Sequence, residues 1–239
     1  MKKIVVVALA LLMAATGLHA QEAGTFTLGF RTGVAFGFHD TGDSEREMRR
    51  YIYHGYGYHS SIDSSRRMNF NLAAFAGYTI IDNLSLQLEL GIMANQGFRM
   101  EATAQGVDAG EAQFSYTSLD IPLLVRYSFL DGMLGVMAGP HISIPLGRAV
   151  NWIEPAANNE HDYGYAFEID TFATFGFTTG VVGAFPVGPG HIIGDLRFVF
   201  DFNSMQVVTE HPTIYGRQTS IDAITRRALV FTVGYQMSF

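Results

Sequence analysis

Three features are absent or scarce in this chain of 239 residues. It has no cysteine, so disulfide bonds and a lipid-modified cysteine at the amino terminus are excluded. Lys2 and Lys3 are its only lysines, and its 13 other basic residues are arginines against 22 acidic residues. This acidic balance argues against a nucleic-acid partner. No run of apolar residues reaches about 18 residues, so no transmembrane helix is predicted.

The amino terminus has the pattern of a secretory signal peptide. Lys2 and Lys3 precede an apolar core at residues 4–15, which is too short to span a membrane as a helix. A small-residue cleavage site ends at Ala20. Residues 1–20 are therefore predicted to be removed, which leaves residues 21–239, a length that fits one all-β domain.

Eight segments alternate apolar residues with small or polar ones, and each therefore predicts a strand with one apolar face. The last segment, residues 228–239, shows the pattern most clearly, with Leu229, Phe231 and Val233 leading to a terminal phenylalanine. The other segments are residues 25–38, 68–80, 84–98, 115–129, 134–146, 171–185 and 192–202.

The connections between these segments also alternate, in length. After the second, fourth and sixth segments they are short and contain the Asp, Asn, Gly and Pro of tight turns. The remaining ones are polar and roughly 15 to 29 residues long. This layout predicts an all-β fold: an eight-stranded antiparallel transmembrane β-barrel with four long extracellular loops and short periplasmic turns. Both termini are then periplasmic, and the last strand closes onto the first.

Charge placement indicates which face of each strand lines the lumen. In a soluble barrel of the lipocalin type the apolar row would face inward, whereas in a membrane barrel it faces the lipid. Four positive and four negative residues lie within the strands, all on the polar row, and such a balance suits a closed lumen. These predicted lumen ion pairs are formed by Arg31, Glu89, Asp120, Arg126, Asp195, Arg197, Asp201 and Arg226.

A lumen of eight strands is only wide enough to be filled by side chains. Arg31, Glu89, Asp195 and Arg197 lie near the middle of their strands, so we interpret them as a plug of ion pairs. A path for protons or solutes is the alternative. Aromatic residues lie at both ends of the strands, as expected at two membrane interfaces: Tyr78, Tyr127, Phe129, Phe185, Tyr235 and Phe239 at the short-turn ends, and Phe36, Phe38, Phe98 and Phe202 at the long-loop ends.

Two stretches of the chain resemble a known family. "YTSLDIPLLVRYSF", residues 116–129, followed by a tight turn and "GVMAGPHISIPLG", residues 135–147, is similar to the PorT-like outer-membrane β-barrel family. The terminal Phe239, with Met237 and Tyr235 at alternate positions before it, resembles the signal that the bacterial barrel-assembly machinery recognises. The resemblance implies the outer membrane of a Gram-negative-type bacterium, with outer-membrane lipid, that machinery and periplasmic chaperones as partners of a monomer.

Two groups of residues are candidates for chemistry. The first long connection carries Tyr51, Tyr53, Tyr56 and Tyr58 interleaved with His54 and His59, a composition typical of binding surfaces. No acid-rich spacing accompanies the histidines, so neither a metal nor another cofactor is predicted.

His141 and Ser143 share the inward row and are similar to the motif of outer-membrane lipid A deacylases, although Ile144 stands where that family has asparagine. A hydrogen-bonded lumen histidine is the simpler interpretation. The sequence therefore favours a non-enzymatic outer-membrane barrel whose surface loops bind ligands. An OmpW-like conduit for small hydrophobic molecules and a barrel enzyme acting on lipid remain as alternatives.

Overall fold

The computed structural model describes residues 23–40, 60–66, 68–104, 107–155, 166–169, 172–210 and 219–239. The expected signal peptide lies outside these residues. Within them the chain forms antiparallel strands, and no helix there is long and apolar enough to cross a membrane. The strands are β1 (Phe26–Asp40), β2 (Ser60–Arg66), β3 (Met68–Ile81), β4 (Leu84–Ala104), β5 (Val107–Phe129), β6 (Leu134–Pro155), β7 (Ala166–Ile169), β8 (Thr174–Val187), β9 (Gly190–Asp201), β10 (Met205–Glu210) and β11 (Thr219–Ser238).

Eight of these strands close into a barrel in the order β1-β3-β4-β5-β6-β8-β9-β11, and β11 pairs with β1. The closing ladder runs from Thr27 opposite Ser238 to Asp40 opposite Thr225. Beyond it, the Phe26 amide donates to the carbonyl of Phe239 at 3.1 Å, which satisfies backbone groups at the rim. The predicted eight-stranded antiparallel barrel is therefore confirmed, and the terminal strand finds its neighbour in the first.

The polar row of each strand faces the lumen and the apolar row faces outward. Arg31 is 1% exposed, whereas its chain neighbour Phe30 is 58% exposed. The same contrast separates Glu89, buried, from Leu88 and Leu90, which are exposed. This arrangement suits a barrel surrounded by lipid, because the apolar row meets hydrocarbon and the polar row finds partners inside.

The short connections are tight turns, as predicted. Asp82 and Asn83 join β3 to β4, and Asn83 has a φ of 70°, which asparagine adopts more readily than most residues. Gly132, between β5 and β6, has a φ of 85°. These turns lie at one end of the barrel, together with Ala23, whose amide donates to Asp82 at 3.1 Å, and with Phe239.

The long connections differ from simple loops, because several strands continue into them. β4 extends to Ala104 and β5 begins at Val107, so these two strands form one long hairpin. The short strand β2 pairs with the extension of β4, and β10 pairs with that of β11. The alternation predicts only the part of each strand that meets lipid, since a hairpin in water needs no continuous apolar row.

Side chains fill the lumen of the described barrel. One apolar group lies in the half near the short turns and includes Phe75, Leu124 and Ile193. A second, in the half near the long connections, includes Met93 and Val199. The buried charged residues lie among these groups, as expected for a ring of eight strands whose interior is packed rather than open.

Candidate functional site

Four of the predicted lumen charges form one compact cluster, which we call the lower cluster: Arg31, Glu89, Asp195 and Arg197. Arg31 pairs with Glu89, and its Nη1 lies 2.8 Å from Asp195 Oδ2. Arg197 Nη1 lies 2.8 Å from Glu89 Oε2, and Arg197 Nε lies 2.8 Å from Asp195 Oδ1. Each arginine thus contacts both acids, and the charges balance.

Neighbouring groups hold the lower cluster in place. Gln87 donates to Glu89 Oε1 at 2.6 Å. The guanidinium of Arg31 lies 4.6 Å from the centre of the Phe75 ring, a cation–π distance. The Phe75 ring in turn occupies the space left by Gly29, because a Cβ there would collide with it. The cluster is therefore packed as well as paired, which offsets part of the cost of removing four charges from water.

Three further predicted charges form the upper cluster together with a histidine: Arg226, Asp120, Asp201 and His141. Arg226 Nη1 lies 3.1 Å from Asp120 Oδ2, and its Nη2 lies 3.2 Å from Asp201 Oδ1. His141 Nε2 lies 2.8 Å from the same Asp201 oxygen. Arg226 of β11 therefore spans the lumen to β5 and also contacts the adjacent strand β9.

The upper cluster contains polar residues that sequence analysis missed. Gln96 accepts from Arg226 Nη1 at 3.1 Å and donates to Ser118, and Thr174 donates to Asp201 at 2.7 Å. Gln96 belongs by simple alternation to the apolar row of β4. A bulge near Asn95, whose φ is 61°, shifts the register and turns the glutamine inward. The signal was the pair of turn-forming residues Asn95 and Gly97 within an otherwise regular strand.

A small cavity of about 30 Å³ separates the two clusters. Glu89 and Arg197 border it from below, and Asp120 and His141 border it from above. Pro122 lines its wall. The volume suffices for one or two water molecules.

The eighth predicted lumen charge, Arg126, is buried but belongs to neither cluster. Its Nη1 donates to Gln236 Oε1 at 3.4 Å, across the lumen from β5 to β11. The structure thus places all eight predicted charges inside the barrel and brings seven of them into two groups.

His141 and Ser143 are both buried in the lumen, each 3% exposed. The ring of His141 contacts Asp201, Arg226 and Thr178, whose Oγ1 lies 3.2 Å from Nδ1. No hydrogen bond joins His141 to Ser143 in the described part of the chain. The histidine is therefore engaged with other groups, as the simpler interpretation expects.

The remaining candidates are residues of the first long connection and of the terminal strand. The tyrosines and histidines of residues 51–59 fall outside the described residues. At the short-turn rim, Tyr235 donates to the carbonyl of Val187 at 3.1 Å, and Phe239 is 70% exposed. Met237 is 37% exposed on the same outward row. Within the described ranges, no three acidic, histidine or cysteine side chains are grouped so as to hold a metal ion.

The closed ring, the apolar outer face and the packed polar lumen define a transmembrane β-barrel of the outer membrane. The sequence profile of the family described as "Outer membrane protein beta-barrel domain" matches residues 19–206, and the chain belongs to that family. It is accordingly a protein of the outer membrane of Gram-negative bacteria. No curated protein matches its sequence.

Solved structures similar to this chain include two small outer-membrane proteins. Outer membrane protein OprG from Pseudomonas aeruginosa is 11% identical, with a TM-score of 0.49 over 93% of this chain and 99% of that one. Outer membrane protein AlkL in lipid bilayers is 14% identical, with a TM-score of 0.43 over 94% and 93%. The translocator domain of the autotransporter NalP from Neisseria meningitidis is 11% identical, with a TM-score of 0.31 over 96% and 94%.

Proposed function

We propose that this protein is a non-conducting outer-membrane barrel that acts through its extracellular surface, where its loops bind ligands or lipopolysaccharide. The observation that carries the proposal is the filled lumen. Two layers of ion pairs cross the barrel, and the cavity between them holds about 30 Å³. A barrel closed in this way offers no continuous water path, so the surface that remains for interaction lies outside the membrane.

The strand extensions support this interpretation. β4, β5, β6 and β11 are 20 to 23 residues long, whereas β1, β3, β8 and β9 have 12 to 15 residues. The described strands thus raise the connections above the membrane on a paired backbone, which holds loop ends at fixed positions. A rigid scaffold with variable connections at one end is a common design for binding proteins.

Conductance measurements test the closed lumen. The purified barrel, reconstituted into a planar lipid bilayer, should show no steady ion current, while a porin reconstituted in parallel conducts. Sustained current at the level of the porin would contradict the proposal, because the two ion-pair layers could not then be a permanent plug.

Binding to purified lipopolysaccharide tests the role of the loops. Replacing Tyr51, Tyr53, Tyr56 and Tyr58 by alanine should weaken binding at least tenfold, which corresponds to about 1.4 kcal/mol. A matched control replaces Tyr78 and Tyr127, which lie at the short-turn rim and are half exposed. Equal loss of binding in both variants, or none in either, counts against recognition by the first loop.

We also propose that the protein catalyses no reaction, needs no cofactor and works as a monomer inserted by the barrel-assembly machinery with the help of periplasmic chaperones. The engagement of His141 with Asp201 and Thr178 supports the absence of catalysis. A His141→Ala variant tests it: any lipid-hydrolysing activity of the wild type that this variant loses would favour the barrel enzyme instead.

A second candidate function is a conduit that releases small hydrophobic molecules sideways through the wall. The observation in its favour is a break in the ladder between β5 and β6. Pairing is present at Pro122 opposite His141 and at Val125 opposite Ala138, but the two intervening pairs are missing. Pro122 and Pro140 carry no amide hydrogen, so neither residue can donate a backbone hydrogen bond at this point. Pro122 also lines the cavity.

A cross-link across the seam tests this candidate, and the absence of cysteine gives a clean background. Leu123→Cys with Pro140→Cys introduces cysteines at positions that face each other in the register of β5 and β6. If molecules leave through the seam, oxidation should stop the uptake of a small hydrophobic dye by liposomes, and reduction should restore it. Val181→Cys with Leu196→Cys, across the regular β8–β9 ladder, is the control.

A further inference from the structure

Arg126 is a buried cation that forms no ion pair with a carboxylate among the described residues. Its side chain is 4% exposed, and its Nε has no hydrogen-bond partner. All four buried carboxylates of the lumen contact other arginines, as described for the two clusters. The hydrogen bond of Arg126 is to a neutral amide, that of Gln236. A buried guanidinium is costly unless an anion compensates its charge.

Other unpartnered polar atoms lie at the same end of the lumen. Ser128 is the next inward-facing residue of β5 after Arg126. It is 1% exposed, and its Oγ has no hydrogen-bond partner. His191 lies opposite Gln236 in the register of β9 and β11, and its Nδ1 is buried without a partner. Both residues lie close to the short-turn ends of their strands. Two strands, β5 and β9, thus bring unused polar groups to one mouth of the barrel.

A glycine lies beside Arg126. Gly135 of β6 is the register partner of Ser128. A Cβ on Gly135 would lie 3.0 Å from the Tyr127 carbonyl oxygen, 3.2 Å from Val182 Cγ1 and 3.4 Å from Arg126 Nε, so a larger residue at this position would crowd the guanidinium. The unused Nε of Arg126 and the unused hydroxyl of Ser128 are thus both buried, two residues apart on the inward row of β5.

We propose that Arg126, Ser128 and His191 form an oxyanion site at the short-turn, periplasmic mouth of the barrel, and that its ligand is a phosphate group. A guanidinium binds phosphate oxygens through parallel hydrogen bonds, and a hydroxyl can donate a further one. The Gln236 amide, whose oxygen already accepts from Arg126, has its NH₂ group left to donate. The phosphate belongs either to free inorganic phosphate or to a phospholipid headgroup, and its charge compensates that of Arg126. This site is independent of the loops and of the seam.

Calorimetry on the refolded mature chain in a non-ionic detergent tests the site. Inorganic phosphate, titrated at an ionic strength held constant with chloride, should bind saturably at one site per barrel. Arg126→Gln should weaken this binding at least tenfold. Arg227→Gln, at an exposed arginine on the outward row, should leave it unchanged. In a second arm, phosphatidylglycerol added to the micelles replaces free phosphate as the ligand.

The unfolding temperature of the barrel gives a second readout. It is the temperature at which half of the protein has lost the gel band of the folded state in detergent. Ligand that binds the folded state should raise the midpoint of the wild type but not that of Arg126→Gln. A response to free phosphate assigns the soluble ion, and a response to the lipid alone assigns a headgroup. If Arg126→Gln does not fold, Ser128→Ala serves as the milder variant, with a loss of at least threefold expected. The site is refuted if neither ligand binds the wild type, or if binding survives in the variant.

Discussion

Arg197 of β9 and Glu89 of β4 meet at 2.8 Å across the lumen, although three strands lie between them in either direction around the ring of eight. The contact is a brace between opposite walls. A barrel held only by its ladder can deform as a ring, whereas a pair across its axis fixes the distance between walls. The stability of this barrel should therefore depend on lumen side chains as well as on backbone pairing.

Removing one cation from the lower cluster should destabilise the barrel strongly. In Arg31→Met, Glu89 and Asp195 keep only Arg197 as a partner, and the contact with Phe75 is lost. Breaking a buried pair by removing one member costs about 3–5 kcal/mol. The free energy of unfolding is measured by urea titration in detergent. The folded fraction is read in gels from the band of the folded barrel, which shifts on unfolding. The matched control is Arg227→Met at an exposed position, for which a change within about 0.5 kcal/mol is expected. Equal effects would show that the cluster contributes little.

A methyl group at Gly176 should separate His141 from Asp201. Gly176 of β8 lies between them in register, and its missing side chain lets the imidazole reach from β6 to β9. An alanine Cβ would collide with the His141 ring and with the Phe200 carbonyl. Overpacking of this kind costs about 1–3 kcal/mol.

The urea midpoint checks the Gly176→Ala prediction, together with the histidine ring resonances in NMR spectra. Gly194→Ala in β9 is the control, since the nearest atom to its Cβ would be the Thr232 carbonyl oxygen at 3.9 Å. If both variants unfold at the same urea concentration, the gap at Gly176 is not required.

The stability of the barrel should depend on whether residue 95, at the bulge, can adopt a positive φ. Asn95 has a φ of 61° and donates through Nδ2 to the Met68 carbonyl at 3.2 Å. Asn95→Val places a β-branched residue where such residues are strained, at a cost of about 1–3 kcal/mol, and withdraws Gln96 from Arg226. Asn95→Gly keeps the angle and should lose less stability. A reversed order of the two variants in thermal unfolding would refute the strain argument.

Phe239→Ser should impair assembly in cells more than folding in vitro. The backbone of residue 239 keeps its hydrogen bonds with Phe26, and the lost side chain contributes at most about 1.5–3 kcal/mol of burial. Loss from the outer membrane with near-normal refolding into detergent is therefore expected. Phe202→Ser, at the opposite rim and 68% exposed, is the control. Wild-type surface levels of Phe239→Ser would contradict the assembly-signal interpretation.

The strands and their faces could be predicted because alternation is a local property. Each lipid-facing row can be recognised within one segment. Leu88 and Leu90, for example, lie on either side of Glu89 in the chain. The eight lumen charges were found in the same way, since a charge on the apolar row would meet hydrocarbon. Gln96 was missed because the bulge before it turns the following residues to the opposite face of the strand. The types of residue in the segment do not reveal this change.

By itself, the sequence determined an eight-stranded membrane barrel, its closure through the terminal strand and the identity of the buried charges. Only the tertiary structure decided which charges meet. Arg197 and Glu89 are 108 residues apart, and Arg226 and Asp120 are 106 apart. Whether two such residues lie at the same height along the barrel axis depends on the stagger of all the strands between them. No single segment therefore encodes the contact. For the same reason, only the closed ring shows that Arg126 forms no ion pair with a carboxylate in the described residues.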